Sequence, residues 1–572
     1  MRPRLWIFPD ISIDDRQGLV RALSISHVTA SILLARGVSS SRVANQWLQR
    51  EAGSLHDPFL LPDIETGIER LRRACATHEL VCFYGDYDVD GMSATSLYLT
   101  FFRSIGLRAF AYIPHRTQEG YGLNAAAITH LRAQGVSLLV TSDCGTTSHR
   151  EIALAASLGM DVLVTDHHQT DEAIPPARAV MNPHRRDAVY PFPALCSAAL
   201  AYKVSEAYQM RYGGSRALLD GQLDLVALAT VADVVPLIDE NRVFVREGLA
   251  RITAGDRPGL RALKRVASID RPCTTGTLSF KLVPRLNAAG RLDHAMLGVE
   301  LLTSEQDGPA QALAERLDAL NRARQRIEDA VLRELEAGLP SSGTDSAVVA
   351  WSRGWHLGVV GIVAARMVDR YHRPAVVLSV DERGIGKGSV RSIPGFDAYA
   401  ALAECRDLLE AFGGHPGAAG LTIREDRLLA FRDRFQAVAS KHEAVRSDPT
   451  LHVDAEVQLS QVDLGLIREL DRLHPFGAGN PEPTLAVRNL KVLDARVVGV
   501  GHLKLTVRQG NSFPFSSIGF RMGALTEQGV LRDRPVDLAF VPEINRWNGM
   551  EQIQLRIRDV RTSVRPEAYD AL

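Results

Sequence analysis

The sequence predicts a multidomain α/β protein that ends in a small β-barrel, and three observations predict it. From residue 79 to about 235, short β runs alternate with alanine-rich helical stretches such as 124–134 and 149–159, the signature of a parallel sheet. After Pro340 a second pattern of the same kind begins, with the runs 347–350 and 374–378 flanking a helix. From about Leu451 the chain turns β-rich, and five or so short runs separated by Gly and Asn turns suggest a barrel of the OB-like kind. At 572 residues the chain is too long for a single core.

Taken in order, residues 1–78 read as an N-terminal helical segment with Val43, Trp47 and Leu48 at apolar positions and a turn at Pro58 and Pro62. Residues 79–305 form the first α/β domain. Residues 306–340 form a connecting helix, because Leu313, Leu317, Leu320, Ile327, Val331 and Leu335 recur at helical spacing with no Pro or Gly between them. That helix is expected to be a packing strut. The second α/β domain spans 341–450 and the barrel 451–572.

Hydrophobic residues at 46% and charged residues at 23% are ordinary globular values and exclude a disordered or fibrous class. A formal net charge of −1 gives the whole molecule no attraction for nucleic acid, although a neutral total can hide a local patch. Between Leu485 and Arg561 there are twelve Lys and Arg against seven Asp and Glu, with Phe513, Phe515, Phe520 and Trp547 interleaved. That mixture suits a groove for a single nucleic-acid strand, which pairs charge with stacking platforms. The six cysteines are scattered without a C-x-x-C pair, which favours reduced thiols. No run approaches a membrane span and the N-terminus has no signal-like apolar stretch, so a soluble cytoplasmic protein is expected; a monomer is expected as well.

Three strands end in metal-ligand residues. The run Leu80–Tyr84 leads into GDYDVDG with Asp86, Asp88 and Asp90; Val136–Thr141 leads into Ser142-Asp143-Cys144-Gly145; Asp161–Thr165 leads into Asp166-His167-His168. In an open parallel sheet the carboxyl ends of strands line the ligand crevice, so these groups should converge. Several carboxylates and imidazoles at one spot require a cation among them, and oxygen plus imidazole ligands favour two Mn²⁺ or Mg²⁺ ions over thiolate-bound zinc. GDYDVDG also fits the opening of an EF-hand. That motif needs a helix before it and a Glu at its twelfth position, where this chain has a strand and Leu97. One of the three acids can cap the helix that begins near Met92, but capping does not explain the other two strand ends.

DVDG, SDCG, TDHH and the later ATVADVVPL (229–237) resemble, in that order, the four motifs of the DHH phosphoesterase superfamily, and Gly413-Gly414-His415 resembles the DHH-associated domain. Within the superfamily, the segments 285–291 (RLNAAGR), 354–361 (GWHLGVVG), 388–392 (GSVRS) and 474–481 (HPFGAGNP) resemble the RecJ family of bacterial single-strand-specific exonucleases. The resemblance implies that Asp88, Asp90, Asp143, His167 and Asp233 ligate two metal ions, with Asp143 bridging. It implies that His168 contacts the phosphate. Asp86 is left either as a water-mediated ligand or as an orienting group, and Asp166 as an acceptor for an imidazole.

The expected reaction is hydrolysis of single-stranded DNA from the 5′ end to 5′-mononucleotides, in repair and recombination, with a single-stranded-DNA-binding protein and a helicase as partners. Two divalent ions remove the need for a protein nucleophile, and the sequence has neither a G-x-S-x-G elbow nor a P-loop. An exonuclease also needs a device that recognises an end. Cations and hydroxyls on a terminal phosphate would supply it, and Arg116, Arg285, Asn287, Arg291, Ser389 and Arg391 are the candidates. His415 is expected to meet the scissile phosphate or the terminal nucleotide. The alternatives are a DHH phosphodiesterase for short oligonucleotides or cyclic dinucleotides, and a DNA-binding scaffold without catalysis.

Overall fold

The chain divides into two units, residues 54–447 and residues 1–53 together with 448–572. The computed structural model describes residues 4–49, 55–339, 346–526, 534–547 and 550–563. In the larger unit β1 (Leu80–Gly85), β2 (Arg108–Tyr112), β3 (Val136–Ser142), β4 (Asp161–Thr165) and β5 (Ala179–Met181) form a parallel sheet in the order β2-β1-β3-β4-β5. Val81 and Phe83 face one core with Leu138 and Val140, while Cys82 and Tyr84 face another with Leu139 and Val162. Burial on both faces is why these strands read as continuous apolar runs. The chain leaves β1 for β2 on one side and returns to β3 on the other, so the carboxyl ends of β1 and β3 flank the switch point of the sheet.

α1 (Val89–Ser104) follows β1 and is buried along nearly its whole length, with α2 (Ser197–Tyr212) and α3 (Leu223–Ala232) packed on it. A π-helical turn at Leu278–Leu282 runs into α4 (Val283–Leu292). α5 (Asp307–Gly338) has 32 residues, a length of about 48 Å at 1.5 Å per residue. It buries polar groups as well as apolar ones, since Asp318, Asn321, Arg324 and Glu328 are all inside. The connecting helix is therefore more than an apolar strut.

Beyond it come β6 (Val348–Ser352), α6 (Leu357–Tyr371), β7 (Ala375–Val380), β8 (Ile385–Arg391), β9 (Leu409–His415) and β10 (Ala418–Arg424). Their sheet runs β9-β10-β8-β7-β6, and only the β6–β7 pair is parallel. One helical crossover therefore suffices, and antiparallel pairing serves the other strands.

In the smaller unit β11 (Ala455–Glu456), β12 (Leu485–Val498), β13 (His502–Arg508), β14 (Phe515–Gly519), β15 (Val536–Trp547) and β16 (Met550–Thr562) run in the order β11-β12-β13-β14-β16-β15, and β12 pairs with β15 to close a five-stranded barrel. Register shifts at 487/490, 492/494 and 539/540 bend the long strands enough to close. Of the aromatics expected to stack on a strand, Phe513 and Phe520 are exposed by 88% and 57%, whereas Phe515 packs against the core. The side chain of Trp547 lies outside the described residues.

The N-terminal segment expected over 1–78 is split. Helix 64–76 belongs to the larger unit, while helices 13–23, 27–35 and 41–48 share a core with the barrel, Leu19, Ile32 and Leu48 lying in one cluster with Leu485, Leu503 and Leu538. Leu5–Ile7 pairs in parallel with Thr450–His452, Trp6 Nε1 donates to Asp559 at 2.7 Å, and Ser26 N donates to Glu469 at 2.9 Å. These contacts join residues more than 400 positions apart, which helical periodicity cannot register. The HPFGAGNP segment also serves this unit: the buried Asn480 amide donates to the carbonyls of Leu473 and Pro475 at 2.9 and 2.8 Å. Among the described residues no single helix is long and apolar enough to cross a membrane.

Candidate metal centre

The acids of GDYDVDG divide their tasks. Asp88 is the N-cap of α1, its Oδ1 accepting from Asp90 N at 2.9 Å and Gly91 N at 3.2 Å. Asp90, in the first turn of that helix, accepts from Ser197 N and Ala198 N at 2.7 and 2.8 Å, so the N-terminus of α2 points its free amides at this carboxylate. Asp86 is buried, and its Oδ1 meets no hydrogen-bond donor among the described residues. A Cβ on Gly91 would lie 2.5 Å from Asp86 N and O, so only glycine lets the helix start this close to the loop.

Asp143 follows β3 with φ +66°, a left-handed conformation that Asp tolerates better than most residues. Its Oδ1 lies 3.1 Å from His167 Nε2 and accepts from Ser197 Oγ at 3.2 Å. His167 Nε2 also lies 3.7 Å from Asp90 Oδ2 and 3.8 Å from Asp233 Oδ2. Asp233 comes from the C-terminal end of α3. Two sets of three ligands result, Asp86/Asp88/Asp143 and Asp90/His167/Asp233, with ligand atoms within 4.8 Å of one another in each. A third set, Asp143/His167/His168, links them, which puts Asp143 and His167 at the seam.

The charges fit cations. Burial, reinforced by the neighbouring acids, pushes the carboxyls of Asp86, Asp90 and Asp143 up, and that of Asp233 to about 8. Burial holds His167 below its ordinary value, the neutral form that ligates metal. His168 differs: burial opposes its charge, but the hydrogen bond from its Nδ1 to Asp166, 2.7 Å, overcomes that and raises it to about 9. Asp166 is also held by Thr146 N at 3.0 Å, and its carboxyl is driven well below its usual range despite burial. Asp166 thus favours the protonated form of His168 and fixes the orientation of its ring. Burial raises the Cys144 and Cys196 thiols well above their ordinary value, so neither supplies a thiolate, and hard oxygen donors with imidazole remain.

These shifts predict how the metal-free protein responds to pH. Between the unfolded carboxyl value of 3.8 and the folded value of about 8 for Asp233, the folded state holds a proton that the unfolded state has lost. Stability therefore falls as pH rises through that window, by at most about 1.4 kcal/mol per pH unit for each such group. The Tm of chelator-treated protein is expected to drop from pH 5.5 to 8, and Mn²⁺ to restore more at pH 8 than at pH 5.5. A metal-free Tm that rises over this range contradicts the assignment.

Beside the acids lies a cavity of about 630 Å³ that contains Arg116, Arg291, Ser389, Arg391 and Lys387 and, among the described residues, no carboxylate. Arg116 sits over the Tyr87 ring at 4.8 Å, Arg291 donates to Gly358 O at 3.0 Å, and Arg391 donates to Ser389 Oγ at 2.8 Å. Burial and the nearby Arg116, Arg324 and Arg391 charges lower Arg291 to about 10, and burial and Arg116 lower Arg391. Uncompensated cations at close quarters make an anion site.

Three expected contacts are not in this cavity. Arg285 is turned to the buried Asp318 at 2.9 Å and to Lys281 O at 2.6 Å. The Asn287 amide oxygen accepts from Val89 N at 3.1 Å, so it props the metal loop from α4. Gly290 is on the same side, where a Cβ would approach Tyr87 O to 2.5 Å. His415 is exposed at the end of β9, outside the cavity lining. Asp86, left open in the sequence between a water-mediated ligand and an orienting group, lies with Asp88 and Asp143 in one ligand set, and sequence reasoning overlooked Tyr121, whose hydroxyl donates to Asp143 O at 3.0 Å and lies 3.4 Å from His168. No local pattern marked Tyr121.

Family models match three stretches: the DHH family N-terminal domain at 80–230, the DHHA1 domain at 344–441 and the RecJ OB domain at 453–559. The single-stranded-DNA-specific exonuclease RecJ of Bacillus subtilis is 36% identical over 557 residues, covering 96% of this chain and 70% of that protein. The protein of that name from Dickeya dadantii is 37% identical over 539 residues, 90% of this chain and 92% of the other. Among solved structures, RecJ of Thermus thermophilus in complex with Mn²⁺ superposes with a TM-score of 0.84 at 28% identity, covering 98% of this chain and 80% of that one.

Proposed function

The chain belongs to the RecJ family of DHH phosphoesterases, and from that premise we propose that it is a metal-dependent exonuclease that degrades single-stranded DNA from the 5′ end to 5′-mononucleotides in repair and recombination. The observation that carries the polarity is the carboxylate-free arginine cavity beside the metal ligands. A terminal phosphomonoester has about one more charge than an internal diester, so Arg116, Arg291, Arg391 and Ser389 select an end.

The cofactor is a divalent metal, Mn²⁺ or Mg²⁺, and Asp86, Asp88, Asp90, Asp143, His167 and Asp233 are the residues that would hold it. When bound, paired ions supply Lewis acidity toward the phosphodiester and ease deprotonation of the attacking water. The chain's own residues do the rest. His168, kept cationic by Asp166, presents its charge to the phosphate next to Asp143. Tyr121 and Ser197 fix Asp143, and Asn287 fixes the loop that carries Asp88. The arginine cavity anchors the terminus so that the bond one nucleotide inward is the one cut.

The barrel's exposed Phe513 and Phe520, with Arg496 and Lys504 on paired positions of β12 and β13, support a grip on the rest of the strand. Specificity for one strand implies a helicase that supplies it and a single-stranded-DNA-binding protein that keeps it open. Free cysteines support action in a reducing compartment, for which we propose the cytoplasm, and we propose that the protein acts as a monomer. An intact ligand set speaks against a scaffold without catalysis.

Digestion of 5′- and 3′-labelled single strands, blunt duplex and closed single-stranded circles tests this. Release of 5′-mononucleotides from the 5′ end alone is expected, with circles and duplex left almost untouched. Ready cutting of circles, or loss of the 3′ label first, would overturn the polarity. Arg391→Gln should slow 5′-phosphorylated strands by about tenfold to a hundredfold, the worth of a charge-assisted hydrogen bond, and slow 5′-hydroxyl strands much less.

A further inference from the structure

The anion cavity is longer than one phosphate requires. Lys387, Ser389 and Arg391 occupy alternate positions of β8 and so point to one face, each step covering about 6.6 Å. Their partners across the sheet are small: Ala418 lies opposite Arg391, Gly420 opposite Ser389 and Thr422 opposite Lys387, with Gly413 opposite Gly420 one strand further out. A Cβ added to Gly413 would meet nothing within 4 Å, so open space lies above this floor. Arg391 is at the metal end of the row, since it and Arg116 repel one another and Arg116 rests on Tyr87, the neighbour of Asp86 and Asp88. Lys387 is at the far end. It forms no hydrogen bond or ion pair among the described residues, and no carboxylate lines the approach to it.

Resting on the reading that the arginines hold a terminal phosphate, we infer that Lys387 and Thr422 form a second anion subsite beyond it, and that strands ending in a 5′-di- or triphosphate are substrates. The extra phosphoryl groups would extend from Arg391 past Ser389 over the glycine floor toward Lys387, which lies two strand steps, about 13 Å, along β8, with the long Arg391 and Lys387 side chains both lining the space between. Charge agrees with this placement. Four cations face the cavity, whereas one phosphomonoester brings about two negative charges and a triphosphate terminus about four. Such termini arise where a strand is started from a nucleoside triphosphate. In the reaction, water attacks the phosphorus between the first and second nucleotides and the bond from that phosphorus to the 3′-oxygen breaks. The first nucleotide leaves with its 3′-hydroxyl and its polyphosphate intact. The shortened strand keeps a 5′-monophosphate and enters the ordinary cycle.

The experiment uses the full-length protein with excess Mn²⁺ and single-stranded oligodeoxynucleotides of one sequence carrying a 5′-triphosphate, a 5′-monophosphate or a 5′-hydroxyl. First-cleavage rates are measured in single turnover and the first product is identified by mass. The triphosphate strand is expected to be cut within about tenfold of the monophosphate strand and to release a nucleoside triphosphate, while Lys387→Ala lowers the triphosphate-to-monophosphate rate ratio by about tenfold and Lys387→Arg restores it. A triphosphate strand left intact by the wild-type protein overturns the inference, and so does a Lys387→Ala loss shared equally by both strands. Equal rates for monophosphate and hydroxyl strands would instead remove the terminal-phosphate reading beneath it.

Discussion

Replacing Asp143 by alanine is expected to lower hydrolysis by about a thousandfold or more at saturating Mn²⁺, while chelator-insensitive binding of single-stranded DNA persists. Asp143 is common to two of the three ligand sets and sits 3.1 Å from His167, so its loss disturbs both metal positions at once. Asp143→Asn is the more informative variant. It keeps the side-chain shape and tolerates the +66° φ, so any loss it shows is due to charge. His167→Ala should match it. His168→Ala should slow turnover with metal still bound, because His168 is held by Asp166 at the edge of the cluster. Retention of more than about one per cent of activity in Asp143→Ala with an unchanged circular dichroism spectrum would sink the metal assignment.

Deleting the chain from residue 451 onward is expected to yield a protein that aggregates, and the reason lies at the other terminus. Helices 13–23, 27–35 and 41–48 bury Leu19, Ile32, Leu33 and Leu48 against the barrel and would be left with an open apolar face. Removing 1–53 together with 448–572 takes away a whole unit and should leave 54–447 folded with its ligand set and arginine cavity complete. That core should still cut very short oligonucleotides. Its affinity for long single strands should fall by about a hundredfold, and the salt dependence should flatten by roughly 0.7 on logarithmic axes for each phosphate that the barrel no longer neutralises. Equal salt slopes for the core and the intact protein would show that the barrel unit does not touch the strand.

Residue pattern alone located the catalytic sheet, because a strand buried on both faces reads as an unbroken apolar run and the acids mark where each run stops. It could not separate Arg285 from Arg291. Six positions apart on a helix, the two point to different sides, so at most one could face the cavity. Which one was decided by Asp318 of α5, which claims Arg285, and by the start of α6, where Gly358 accepts from Arg291. Asn287 and Gly290 lie on the side of α4 that meets the metal loop, and nothing local to the RLNAAGR segment distinguishes propping a loop from touching DNA.

By itself, then, the sequence determined the ligand types, the placement of Asp86, Asp143 and His167 just beyond strand ends, the metal class they suit and the order of the domains, since each of these follows from short-range pattern and side-chain chemistry. Only the tertiary structure decided that Asp86 is a buried carboxylate with one oxygen left without a donor among the described residues, that Asp88 caps a helix while facing the cluster, and that the first fifty residues belong with the barrel. It also decided that Lys387 prolongs the cation row on β8. These depend on which distant backbone amides, carbonyls and charges surround a side chain. Burial and pairing of that kind arise between segments far apart in the chain, and no periodicity within a segment encodes them.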